Sequence, residues 1–225
     1  RIAALNALAQ QDPSHAGKMA AEAFGGISDA DTMRQWLAPL LPRETATKSL
    51  VAALKAKACS ADAAKLAIRV LAATGRSEPD MSVVLSGIVG VSNTVPAFDP
   101  AWVSALAAEV KAKGDATRGR AVFASPLVNC AACHSIGKQG GVIGPELDAV
   151  GRGVPVELLI EAVVWPNRQI KEGYIATTLL TKDGRRLQGY KISDANGELQ
   201  LRDFLSGNVT RFTTADIQSR QEAGS

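Results

Sequence analysis

The sequence predicts a mainly α chain: a helical array, then a smaller domain of short helices interrupted by a small antiparallel β insertion. Three observations predict it. Up to about Gly114, Ala, Leu and Val recur at three- and four-residue spacing. Beyond Tyr174 the apolar period falls to two. Between them, from Asp115 to Gly173, short helical runs and glycine turns surround "PLVNCAACHSIGKQGG" (126–141), which holds two of the chain's 3 cysteines and one of its 2 histidines.

Composition sets the outer bounds. The 225 residues suffice for one large or two modest domains, and 46% hydrophobic with 21% charged residues describes a globular chain rather than a disordered one. Apolar stretches are broken by Lys, Asp or Arg before membrane-spanning length, so no transmembrane helix is expected. The opening "RIAALNALAQ" reads as mid-helix, as in a piece of a longer polypeptide, and the lack of a leader there says nothing of compartment. Residues 1–114 carry 12 basic and 10 acidic side chains, and residues 115–225 carry 13 and 12. No basic stripe stands out, which excludes the footprint of a nucleic-acid-binding surface.

Residues 1–114 are expected to form consecutive helices from "TMRQWLAPLL", "ATKSLVAALKAKA", "DAAKLAIRVLAATG", "MSVVLSGIVG" and "AWVSALAAEVKAKG". Ser60 is a candidate N-cap, Gly75 a helix stop, and Asp99-Pro100 a cap followed by a first helical residue. Helices of this length with short joints predict a HEAT- or armadillo-type stack, with a plain irregular bundle as the alternative.

Cys130-Ala131-Ala132-Cys133-His134 is C-x-x-C-H, the spacing of c-type haem attachment. Each thiol adds across one vinyl group of the porphyrin, and the adjacent imidazole of His134 becomes the proximal iron ligand. A covalent tether suits a segment with few aromatics; Phe, Trp and Tyr make up 4% of the chain. Three other readings compete. Zinc needs further ligands, and Cys59 and His15 lie far upstream. A redox pair needs a preceding strand in a βαβ unit. A disulfide across two residues closes a poor loop. Cys59 itself reads as a small buried side chain in an apolar helix.

Beyond Tyr174, "YIATTLL", "RRLQGYKIS", "ELQLRDF" and "VTRFT" alternate as strands, with Asp183-Gly184, Asn196-Gly197 and "LSGN" as turns. An antiparallel meander, open or closed into a small barrel, is the expected product.

The order "DATRGRAVF", C-x-x-C-H, "GVIGPEL", "VGRG", "PVELLIEAVVWP" resembles a class I cytochrome c domain. The resemblance implies that the carbonyl of Pro145 accepts a hydrogen bond from His134, that Gly144 lets backbone pass close to the haem, and that Arg152 is a candidate propionate partner. A closer resemblance runs from "CAACHSIGKQGG" to "TTADIQSR": a bacterial C-x-x-C-H haem-binding domain found behind propeller-type dehydrogenase-like regions and HEAT-like helices in large secreted proteins. It covers residues 115–225; over 1–114 only helical character and order match. It implies a haem domain at 115–225 with a β insertion at about 174–217, cut before its last helix.

The expected function is electron transfer by one covalent haem c, bound by Cys130, Cys133, His134, Gly144, Pro145 and Arg152 with His134 on the iron. The donor is a dehydrogenase domain of the same larger protein, and the acceptor a cytochrome or membrane carrier. The chain itself is a non-catalytic part located in the periplasm or another exported site. An open-site haem protein, a peroxidase or gas sensor, is the alternative. Met19, Met33 and Met81 all precede the motif, so the sixth ligand is expected from a methionine beyond Ser225. Met81, His15, Tyr174 or a five-coordinate iron are the rivals.

Overall fold

Residues 2–91, 95–171 and 173–223 are described in a computed structural model of the chain. Runs rich in Ala and Leu, residues that lose little freedom in a helix, fold as α1 (Ile2–Gln11), α2 (Pro13–Phe24), α3 (Ala30–Leu37), α4 (Glu44–Ala56), α5 (Ala61–Ala73) and α6 (Pro79–Val89). Polar caps start them: Asp29 accepts from the Thr32 N–H at 2.8 Å and Ser60 from the Ala63 N–H at 3.3 Å. Asp99 accepts from the Ala101 and Trp102 N–H groups at 2.9 and 3.2 Å, with Pro100 opening α7 (Pro100–Lys113). Helices α1–α6 share one core, in which Phe24, Met33, Leu40, Leu50, Leu54 and Leu85 are fully buried.

The next segment comprises α8 (Ala116–Ala124), α9 (Cys130–Cys133), the hairpin β1 (Ser135–Ile136) and β2 (Gln139–Gly140), α10 (Val150–Gly153) and α11 (Val156–Val164). It is clasped to α7 by Trp165, whose ring stands edge-on to Phe98 at 5.1 Å and Trp102 at 5.8 Å and whose Nε1 donates to the Pro96 carbonyl at 2.6 Å. Not one residue between Ala107 and Trp165 is buried.

Strands β3 (Ala176–Thr181), β4 (Arg186–Ala195), β5 (Glu198–Asp203), β6 (Val209–Thr213) and β7 (Ile217–Ala223) form an antiparallel sheet in the order β6-β5-β4-β3-β7. Asn196 and Gly197 both take positive φ, 55° and 75°, the pairing that a two-residue hairpin turn requires. Only the 3₁₀ turn Thr214–Asp216 joins β6 to β7, although these strands lie at opposite ends of the order. Five flat strands would hold them about 19 Å apart, whereas so short a link reaches about 14 Å. The sheet therefore curls into a roll. At the closure, the Thr214 N–H donates to the Gly197 carbonyl and the Lys182 N–H to the Asp216 carbonyl, each at 2.9 Å. Leu179, Leu199, Leu201 and Phe212 fill its interior.

The roll is fastened to the helices by buried polar bonds. Arg76 donates to Glu78 at 3.1 Å and to the Leu41 carbonyl at 3.0 Å, and Glu78 also pairs with Arg186. The Gln188 side chain exchanges two hydrogen bonds with the backbone of Ser77, each at 2.7 Å. The side chains of Arg76 and Glu78 are 1% and 3% exposed.

These facts correct the expected fold class. With 51% helix, a five-stranded and a two-stranded antiparallel sheet, the chain is a mixed α/β protein, not a mainly α array with a small insertion. The sheet has its own core and a buried seam with the helices, so it is a structural layer. β7 continues to Ala223, past the expected end of the insertion near 217, because it pairs with the distant β3. The stretch from Ile217 to Ser225, expected to return toward a closing helix, is strand β7 as far as Ala223, and residues 224 and 225 lie outside the described residues. No helix among the described residues is long and apolar enough to cross a membrane.

Candidate functional site

Cys130 and Cys133 bracket the single turn α9, so both thiols leave the same short stretch of backbone. Both are free and half-buried. Burial, and then the neighbouring Cys130, pushes the Cys133 thiol above its ordinary range. The Cys130–Cys133 turn is entered from Asn129, which takes a left-handed φ of 56° and donates from Nδ2 to the Arg69 carbonyl of α5 at 2.9 Å.

The chain then doubles back over the motif. The Gly141 N–H donates to the Ala131 carbonyl at 2.9 Å and the Gly144 N–H to the Cys133 carbonyl at 2.8 Å. Nδ1 of His134 lies 2.8 Å from the Pro145 carbonyl oxygen. That contact makes Nδ1 the protonated nitrogen and leaves Nε2 with its lone pair free, the state of an imidazole that ligates a metal. A Cβ on Gly144 would stand 2.6 Å from His134 Cε1, and one on Gly141 would collide with the Ala132 carbonyl. The run "GKQGG" is a close wrap in which bare backbone presses on the motif.

Arg152 is exposed on α10, beside a shallow depression lined by Ile136, Gly137, Asp148 and Ala149. Asp148 accepts from the Gly137 N–H and shares a hydrogen bond with Glu146, which raises the Glu146 carboxyl above the usual carboxylate range. Among the rival iron ligands, Met81 is enclosed in the α1–α6 core at 1% exposure, while His15 is exposed on α2. Tyr174 stands edge-on to Tyr190 at 5.2 Å.

Four residues near the motif escaped sequence reasoning: Gly75, Ile143, Tyr190 and Phe204. A Cβ on Gly75, at the end of α5, would lie 2.9 Å from Ile143 Cγ2 and 3.8 Å from Phe204 Cγ, so the motif loop, the helices and the roll meet there. Tyr190 stacks edge-on to Phe204 at 4.7 Å, and burial, then the nearby Cys133, raises its hydroxyl above the ordinary range. Only Gly75 carried a local signal, as a helix stop.

No family model and no curated protein matches the chain.

Among the described residues, no group of three or more His, Cys, Asp or Glu side chains is arranged to hold a metal ion. A haem asks less of the protein: one imidazole for the iron, two thiols for the porphyrin edge and apolar surface for its faces. The residues present fit that demand. Segment 108–164 has no interior of its own, yet exposes Val122, Leu127, Val128, Ile136, Val142 and Val163, a surplus of apolar surface in need of a partner.

Proposed function

We propose that the chain is an electron-transfer unit carrying one haem c, tethered through Cys130 and Cys133 with His134 on the iron. The contact between His134 Nδ1 and the Pro145 carbonyl, 2.8 Å, is the observation that carries the reading, because it sits on the one histidine adjoining a C-x-x-C pair. When bound, the haem supplies a one-electron ferrous–ferric couple.

The chain's own residues then have separable tasks. Cys130 and Cys133 hold the group covalently, which compensates for the thin surrounding packing. Pro145 fixes the tautomer and orientation of the His134 ring and strengthens it as a donor. Gly144 and Gly141 allow the loop to lie against the motif. Exposed apolar side chains of segment 108–164 gain a surface to pack on. Arg152, exposed beside the motif hairpin, is the candidate to pair with a propionate.

In this reading the donor is a dehydrogenase domain of the same larger protein and the acceptor a cytochrome or membrane carrier. The site of work is periplasmic or otherwise exported, because haem attachment through two thioethers takes place outside the bacterial cytoplasm. The sixth ligand in this reading is a methionine beyond Ser225; Met33 and Met81 are enclosed in the helical core, while Met19 is exposed on α2. The test is expression with export and haem-attachment machinery, followed by intact mass measurement. A mass gain of one haem supports the reading. Bare polypeptide mass, with thiols free or joined to each other, rejects it.

A further inference from the structure

We propose that the β roll forms one wall of the haem pocket, with Tyr190 a positioning residue whose ring keeps water from the porphyrin edge tethered to Cys133. This inference rests on the haem reading above and extends it to residues that no attachment motif includes.

The geometry leads from the motif to the roll in short steps. The Gly144 N–H is bonded to the Cys133 carbonyl at 2.8 Å, which ties the segment holding Ile143 to the motif. Ile143 and Phe204 both meet the backbone of Gly75. Phe204 is 7% exposed and packs on the Tyr190 ring at 4.7 Å, and Tyr190 packs on Tyr174 at 5.2 Å. The Arg202 guanidinium lies over the Tyr190 ring, 5.5 Å from its centroid. This aromatic row belongs to the roll and reaches the motif loop through Phe204 and Ile143 at Gly75. The raised hydroxyl of Tyr190, caused by burial and by Cys133, agrees with that placement.

The consequence is electrostatic. The ferric centre carries one more positive charge than the ferrous one, so water at the porphyrin edge favours the ferric form, and a dry wall raises the potential.

The experiment uses the exported full chain, checked by intact mass and then titrated by spectroelectrochemistry. Tyr190→Phe keeps the ring and is expected to hold the wild-type potential. Tyr190→Ser opens the wall and is expected to lower it. Phe212→Leu loosens the roll's own core, away from the wall, and is expected to lower the melting temperature while leaving the potential unmoved. Should Tyr190→Ser not be recovered, Phe204→Leu thins the same wall and is expected to shift the potential in the same direction. A haem-loaded Tyr190→Ser or Phe204→Leu protein with unchanged potential overturns the wall while the haem reading stands. A Phe212→Leu shift as large as that of Tyr190→Ser overturns it too, since general loosening then suffices. Absence of haem from the wild-type chain overturns both.

Discussion

Gly144 lies so close beneath His134 that an added methyl group would stand 2.6 Å from the imidazole Cε1 and 2.8 Å from Nδ1. The ring and the loop are thus positioned by each other, and the bond to Pro145 results from that fit. Gly144→Ala should force the two apart at a cost of about 1–3 kcal/mol. In haem-free protein, ¹⁵N-imidazole NMR should show the Nδ1–H form of His134 in the wild type and its loss in the variant. An unchanged tautomer in Gly144→Ala would mean that the glycine is not what holds the ring.

In the proposed haem reading, the two thiols divide the tether between them. Cys130→Ala and Cys133→Ala should each leave a single thioether, with a shifted absorption spectrum and haem still attached after denaturation. The double variant should show no haem on a denaturing gel. Full attachment in either single variant at wild-type spectral position would count against the assigned geometry.

The seam between helices and roll depends on a buried carboxylate. Glu78, 3% exposed at its side chain, faces both Arg76 and Arg186. Glu78→Gln would leave the buried Arg76 guanidinium without its carboxylate and Arg186 with only the Glu44 pair at 3.6 Å, with an expected loss of about 3–5 kcal/mol. Urea unfolding monitored by circular dichroism measures it. The control is Glu109→Gln, which breaks only an exposed pair with Lys113 and should cost less than about 1 kcal/mol.

Acid should weaken the folded chain. The Thr181 hydroxyl, then Arg185, lowers the Asp183 carboxyl; the Thr213 side chain and backbone lower Asp216; Lys191 lowers Glu222. Groups lowered on folding contribute fully above their unfolded values, 3.8 for Asp and 4.5 for Glu, and lose that contribution as pH falls through the lowered ones. Melting temperature should therefore be flat above about pH 5 and fall below it. Asp183→Asn should flatten part of the fall. A melting temperature that instead rises on acidification would contradict the sign of these shifts.

Much of the local structure was legible in the residues themselves. Ser60 and Asp99 start helices because a short side-chain oxygen can reach the exposed N–H groups of the next turn. Asn196-Gly197 turns the chain because both residues accept positive φ. The C-x-x-C-H spacing and the loop ending in Gly144-Pro145 marked where the candidate site would be. These signals act over a few residues, so a linear reading can see them.

What escaped is what depends on partners far apart in the chain. Cys130, Cys133, His134 and the glycine loop were set by sequence alone, as were the helix caps and hairpin turns, because covalent spacing and backbone preference are local quantities. Tertiary structure alone decided that β7 closes onto β3, that Glu78 and Arg186 lock the sheet to the helices, and that Tyr190 packs on Phe204 where the roll meets Gly75 and the motif loop. Packing and buried charge pairing are set by distances in space, and a period along the chain carries no record of them.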